Sequence, residues 1–533
     1  MENQMESTRR QRNIFWVGVA FILILGIFLH RFSSWNWGIG VSHDSIFYIS
    51  AAENFLEGNG ISRIGGGNVV KPLTHFPPLY PLSLSFLGYF IGVREAADWS
   101  AAILFGINAV LIVLIIFQGS KSLSASLFGG LLVLISPLLI DIHFEAMSEP
   151  LYLASTLTSL ILLVCYLSHR KNWQLILAAL AASLAYLTRY VGISVLLTGV
   201  LSLLFVYRES YRTKFKKIAL FGTISFIPNL LWYVRNYLLT GSLTNRVLTF
   251  HPVTKDKLNE GLLSLSEWIF SESTPIGLGL GSVSFIFFIV IIGFFLKFND
   301  EKRLRSNKDV IQENPLPVLI VLHILVYIGL LFSSLTFFDI STGLNNRILL
   351  PLYIMFLILG VIGIQWIVER SKGTMRKALY LAGALLFVVL FIVYANRSWE
   401  LIGAMRQEGS GFNSASWRNS ETIAILNRMD PGAIVYSNEA FPVYYLTGIG
   451  AYGIPEKFDP VKSEVRDDFQ RNMEVMRERL RSPNSALVVF HQGYLRVGMP
   501  TFNEIVDGFV LAHESRDGVI FVDPDNLIYW DIQ

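Results

Sequence analysis

Long apolar blocks, separated by short basic or polar stretches, constrain this chain more than any other feature. Eleven can be drawn, at about residues 14–30, 100–118, 122–140, 149–168, 173–188, 190–207, 217–234, 277–297, 316–335, 347–368 and 377–394. Most approach the roughly 20 residues an α-helix needs to cross a hydrocarbon core. Within lipid, backbone N–H and C=O groups must be satisfied inside the segment, so such blocks are expected to be helical. Only 16% of the 533 residues are charged, against about a quarter in soluble domains, and the shortfall lies inside the blocks. The expected fold is mostly α, a polytopic transmembrane helix bundle of about eleven spans.

Basic residues orient the bundle. With a cytoplasmic N-terminus, the inside stretches carry Arg9, Arg10 and Arg12, then Lys121, then Arg170 and Lys171. They continue with the basic runs from Arg208 to Lys217, from Lys297 to Lys308 and from Arg370 to Lys377. This is the positive-inside pattern. The outside stretch near residues 141–149 has Asp141, Glu145 and Glu149 and no Lys or Arg. A further apolar run at 79–92 would invert every later loop if it crossed the membrane. It is therefore expected to be a re-entrant or interfacial helix. The first block lacks a small-residue cleavage site and is expected to be a retained helix. An odd count puts the C-terminus outside, in a multi-pass protein of the plasma membrane.

Three segments are not membrane core. The first outside loop, at about 31–99, begins with a helix-like stretch from Asp44 to Glu57, with Tyr48, Ala52 and Phe55 on one stripe. Gly58 to Gly60 stop it, and Gly65 to Gly67 are expected to form a flexible turn. A second, moderately polar loop spans about 235–276. Residues 396–533 have ordinary soluble composition and alternate a helical run (VRDDFQRNMEVMRERL) with short β-like runs (AIVYS, ALVVF, GVIFVD). They predict a small extracytoplasmic α/β domain after a membrane domain of residues 1–395. This tail has no G-x-G-x-x-G. A net charge of +3 gives no reason to expect nucleic acid, and the single Cys165 allows no disulfide within the chain.

The polar residues facing outward are the candidates for chemistry. Asp44, in VSHDSIFYIS, stands where the first loop starts its helix; it suits a proton acceptor, and equally an N-cap. Glu149 opens the fourth block, where it suits catalysis, a helix-dipole complement or a solvated loop charge. Lys71, His75, Arg189 and Arg347 are candidate cations for a phosphate. Arg189 lies between two closely spaced blocks, at a depth where charge is costly and either functional or snorkelling. Pro77 and Pro78 set the re-entry of the chain at THFPPLYPL. No second ligand set surrounds His75, so neither a metal site nor a cofactor is expected.

At these residues the sequence resembles the GT-C superfamily of membrane glycosyltransferases, nearest to its protein O-mannosyltransferase and aminoarabinose transferase branch. The matching strings run in order: Asp44 with the helix from Tyr48 to Ala52, PPLYP at 77–81, SEPLYL at 148–153, LTRYVGI at 187–193 and RILLPLY at 347–353. The resemblance covers about residues 14–394. It implies a catalytic Asp at Asp44, a functional acid at Glu149 and a basic residue at Arg189. Ser45 stands where protein O-mannosyltransferases have the second acid of an Asp-Glu pair, and Phe76 where aminoarabinose transferases have a Lys. Lys71 or His75 is then left as a substitute phosphate grip. The W-W-D string of oligosaccharyltransferases is absent, which points away from transfer to asparagine.

An outward-facing site cannot reach cytoplasmic nucleotide sugars, so a polyprenyl-phosphate sugar is the expected donor. The expected acceptor is a hydroxyl of a glycolipid, a glycan or a protein. Such an enzyme needs a carboxylate base, cations for the departing phosphate and an apolar groove. The competing expectations are a lipid or glycan flippase and a scaffold presenting the tail domain. A transporter would more often show internal repeats and helices interrupted at midplane.

Overall fold

The structure is a computed structural model that describes residues 2–244, 246, 248–268, 276–305, 315–338, 342–459, 464–491 and 498–530. Lys308 of the inside basic run and part of the 235–276 loop lie outside the described residues. The chain packs as two compact units. The first comprises Met1–Ser33, Thr74–Tyr80 and Asp98–Ala404, and the second Ser34–Leu73, Pro81–Ala97 and Met405–Gln533.

The first unit is helical. Among the described residues, seven helices are long and apolar enough to cross a membrane, and eight if one bent pair counts as a single span. These are Arg9–Ser33, Val93–Ser120, Glu149–His169, Tyr211–Thr240, Leu316–Phe337, Asn346–Arg370 and Gly373–Glu408. The bent pair, Leu123–Leu134 and Pro137–His143, turns by 57°. A single span was expected over 122–140. The break falls before Pro137, whose ring and missing N–H bar the helix from continuing through it. The other three expected spans fall on the shorter apolar helices Asn172–Thr188, Tyr190–Phe205 and Gly277–Gly293. Length and composition thus support seven or eight full spans of the eleven drawn. Leu381, Leu385 and Ile392 on Gly373–Glu408 are 72%, 63% and 53% exposed. Apolar surface on that scale needs lipid rather than water around it. The protein is a multi-pass membrane protein.

The second unit joins the first loop to the tail. Its sheet runs β4-β3-β7-β9-β8, with β3 at Ile434–Ser437, β4 at Tyr452–Gly453, β7 at Ser485–Phe490, β8 at Val510–Glu514 and β9 at Gly518–Val522. β3 pairs parallel with β4 and β7, whereas β9 is antiparallel to β7 and β8. Every residue of β7 is buried. Ala486, Val488 and Phe490 meet Leu426 and Val443 on one face, while Leu487 and Val489 meet Met473 and Met476 on the other. Period-2 alternation with apolar residues on both faces is what a central strand covered on both sides requires. The three β-like runs read from the sequence are β3, β7 and β9. The expected helical run forms Phe469–Arg479.

The boundary drawn at 395/396 differs from the packing. The last long helix runs on to Glu408, and the first loop belongs to the same compact unit as the tail. Asn68 Nδ2 donates to the Pro431 carbonyl at 2.9 Å and Tyr444 OH to Ser50 Oγ at 3.3 Å. Arg94 donates to the Tyr445 carbonyl at 2.8 Å. The Gly65–Gly67 turn, expected to be flexible, is docked: the Gly67 amide donates to the Gly450 carbonyl at 2.6 Å. Gly67 has φ +70°, and a Cβ there would lie 2.1 Å from the Tyr452 hydroxyl, so only glycine fits. The apolar run at 79–92 is the helix Leu79–Ile91, whose 13 residues extend only about 20 Å. Phe86, Tyr89 and Phe90 on it are exposed.

Candidate active site

The candidate residues fall into both units. In the first, three helix-terminal segments converge on Glu149. The helix Glu149–His169 begins at this residue, with Pro150 in its first turn, where the missing proline N–H costs no hydrogen bond. The Glu149 side chain is only 3% exposed and is ion-paired to both Arg189 and Arg347, which meet the same oxygen, Oε1. Ser148 Oγ lies 3.4 Å from Glu149 Oε2 and accepts from Arg189 at 3.4 Å.

Local sequence explains how the arginines arrive. Arg189 is an extended residue, φ −145° and ψ 139°, between Asn172–Thr188 and the 3₁₀ turn Tyr190–Gly192. The chain reverses there almost without a loop because Gly192 packs on the Ala185 backbone; a Cβ would come within 2.4 Å of it. Arg347 sits in the first turn of Asn346–Arg370, which Asn345 caps by accepting from the Ile348 amide at 3.2 Å. A cation at a helix N-terminus is unfavourable by itself, and Glu149 supplies the compensating charge. Asn346 is braced by Trp268, whose Nε1 donates to its Oδ1 at 3.1 Å.

Two guanidiniums therefore meet at a single carboxylate oxygen in this cluster. The cluster is neither a solvated loop charge nor a pair of snorkelling arginines. Beside it, Tyr190 OH donates to the Thr74 carbonyl at 2.9 Å and accepts from Trp232 Nε1 at 3.2 Å. This ties the segment that holds His75 to the turn that carries Arg189. His75 is exposed, its ring edge-on to Phe76 at 4.8 Å. Arg246 lies over Tyr190 at 5.8 Å and Arg235 over Trp232 at 4.6 Å. Sequence reading missed both, because each looks like an ordinary charge near a polar loop.

Asp44 and Lys71 belong to the second unit. Asp44 is half-buried in the first turn of the helix His43–Leu56, but it is not the N-cap. Ser42 occupies that position, and its amide donates to Ser45 Oγ at 3.0 Å. The two serines therefore close the helix end, and capping does not account for the Asp44 carboxylate. Lys71 is exposed on β2, Val70–Pro72, which pairs antiparallel with β1, Ser62–Ile64. Among the described residues, no group of three or more His, Cys, Asp or Glu is arranged to hold a metal ion.

Known proteins share this architecture. A family model described as dolichyl-phosphate-mannose-protein mannosyltransferase matches residues 75–232. The structure aligns with ArnT from Cupriavidus metallidurans bound to undecaprenyl phosphate at a TM-score of 0.55 and 13% identity, covering 96% of this chain and 98% of that one. It also aligns with the archaeal oligosaccharyltransferase AglB from Archaeoglobus fulgidus, in complex with an inhibitory peptide and a dolichol-phosphate. That TM-score is 0.53 at 11% identity, covering 90% of this chain and 69% of that one. The fold is that of the GT-C membrane glycosyltransferases. No curated protein matches the chain by sequence. Within the GT-C fold, the family match spans the helix of Glu149 and the turn of Arg189, and it begins at His75.

Proposed function

We propose that this protein is an integral membrane glycosyltransferase that moves a sugar from a polyprenyl-phosphate donor to an acceptor hydroxyl at the outer membrane face. The observation that carries the reading is the convergence of two guanidiniums, Arg189 and Arg347, on the buried Glu149 at the ends of apolar helices. A lipid phosphate in a membrane presents an anion beside hydrocarbon, which such a cluster suits. The GT-C fold supports the same reading, as do the undecaprenyl phosphate on ArnT and the dolichol-phosphate on AglB.

In this scheme the acceptor oxygen attacks the anomeric carbon while its proton passes to a carboxylate oxygen of Asp44. The bond from that carbon to the phosphate oxygen breaks, and its electrons leave on the polyprenyl phosphate. Arg189 and Arg347 stabilise the departing charge. Attack opposite the leaving group inverts the anomeric centre. Glu149 holds the two arginines in place, acting as a positioning residue rather than a second base. His75 and Lys71 are left as secondary phosphate contacts. Basic inside loops support a cytoplasmic N-terminus and an outside C-terminus.

The test is transfer by the purified full chain in lipid nanodiscs, given a labelled polyprenyl-phosphate sugar and a membrane extract as acceptor source. Label should leave the lipid donor for the extract, and a nucleotide sugar should not substitute for that donor. Lipid translocation in vesicles without any transfer would instead establish a flippase and sink the transferase reading.

A further inference from the structure

The second unit contains a cavity of about 200 Å³ lined chiefly by three elements and by residues around β4. Phe47 and Ser50 belong to the helix that starts beside Asp44, Arg63 to the β1 strand, and Phe441 and Tyr444 to the helix Ala440–Thr447. Phe47 follows Asp44 by three residues, a spacing that puts the two on one side of a helix. The cavity thus lies along the helix that carries the proposed base.

Its chemistry is specific. The Arg63 guanidinium lies over the Phe47 ring, 4.9 Å from its centroid. It is half-buried, and among the described residues it has no carboxylate partner. Burial without a counter-charge pushes this group down from its ordinary value. Two other partly exposed arginines of this unit do face a carboxylate: Arg94 faces Glu53 at 4.0 Å and Arg466 faces Glu456 at 2.8 Å. Holding a guanidinium partly out of water without a partner is costly, and a bound anion would offset that cost. The remaining walls include three aromatic side chains, Phe47, Phe441 and Tyr444, with Gly65 and Gly66 allowing close backbone approach. Aromatic faces suit an amphipathic ring with an apolar body and polar edges. In size, a cavity of about 150 Å³ accommodates benzene, so this one fits a single substituted six-membered ring.

We propose that the Arg63 cavity is the acceptor subsite and binds a monosaccharide unit bearing a carboxylate or phosphate, its ring against the aromatic wall that Phe441 and Tyr444 supply and its anion on Arg63. Assignment to the acceptor rests on the transferase reading above; binding of an anionic sugar does not. The charged group fixes the ring, and the helix through Phe47 and Asp44 directs it toward the base. Arg63 is a specificity-determining residue that never touches the reacting atoms.

The experiment is ligand-observed NMR titration of the full chain in nanodiscs with glucuronate, glucose 6-phosphate, glucose and inorganic phosphate. At least one anionic sugar should bind ~10-fold or more tightly than glucose, as a charge-assisted bidentate contact predicts. The arm that binds identifies the anion. Arg63→Ala should reduce that sugar to the level of glucose, and Arg63→Gln, which keeps part of the side chain and a neutral hydrogen-bonding group, should do the same if the alanine variant does not fold. Arg63→Lys should keep part of the preference, and Asp44→Asn should bind like the parent. Equal binding of glucose, undiminished binding by both neutral variants, or no saccharide binding would overturn the proposal. So would inorganic phosphate binding as tightly as the sugar phosphate, which would mean an anion site without sugar recognition. A parent protein that binds an anionic sugar yet transfers nothing would sink the transferase reading and leave the binding site standing. A working transferase with no such binding would do the reverse.

Discussion

Asp44 and Glu149 are both acids in the first turn of a helix, and both gain from the positive end of its dipole. Their surroundings then separate them. Glu149 is 3% exposed and shared by two arginines. Asp44 is half-buried, and the capping work at its helix end is done by Ser42 and Ser45. A carboxylate whose charge already holds two guanidiniums in place is a poor proton acceptor, because neutralising it would remove the negative charge that both cations share. The carboxylate of Asp44 is not accounted for by closure of its helix end. Position on a helix did not distinguish the two; pairing and burial did.

The largest effect should come from Asp44→Asn. Asn retains the shape but cannot take a proton, so transfer should fall by about 10²–10⁴ with an unchanged melting temperature. Transfer within a few-fold of the parent would erase the contrast between the two acids and move the base elsewhere. Glu149→Ala should show the opposite signature. It strands two partly buried guanidiniums, and breaking a buried pair costs about 3–5 kcal/mol, so the purified variant should melt well below the parent. A variant as stable as the parent would show that Glu149 does not hold the cluster together.

A smaller and more selective change is expected from the arginines. Arg189→Ala should weaken donor binding, measured with a polyprenyl phosphate, by about tenfold or more, in keeping with the loss of a charged hydrogen bond. Arg189→Lys should recover part of it, since a point charge replaces the fork. Unchanged donor affinity in the alanine variant would confine Arg189 to structure.

The smallest effect concerns pH. Burial pushes the Glu53 carboxyl up, and Arg94 at 4.0 Å partly pulls it back. The folded chain therefore holds this proton more tightly than the unfolded chain. That contribution to stability is fully present below about pH 4, the unfolded carboxylate range, and is lost as pH rises through the raised folded value. Glu53→Gln should raise the melting temperature slightly at pH 7 and leave it unchanged near pH 4. A lower melting temperature at pH 7 would mean that the pairing with Arg94 outweighs burial.

The membrane character, the positions of most helices and three of the five strands of the tail sheet were legible in the sequence, because each rests on local pattern. Apolar length and period-2 alternation act within one segment, and β7 reads as a central strand from ALVVF alone. Local pattern also marked Asp44, Glu149, Arg189 and Arg347 as outward polar residues in an apolar chain. It left open whether Asp44 capped its helix, whether Glu149 was solvated and whether Arg189 snorkelled. Those alternatives differ only in what lies across from the side chain. Only the tertiary structure decided that Ser42 takes the cap, that residues 189 and 347 share one carboxylate, and that Ser34–Leu73 belongs with the tail. It alone left Arg63 without a counter-charge beside Phe47. The physical reason is range: helix and strand formation depend on neighbours a few residues apart, whereas the charge state and purpose of a buried side chain depend on partners hundreds of residues away.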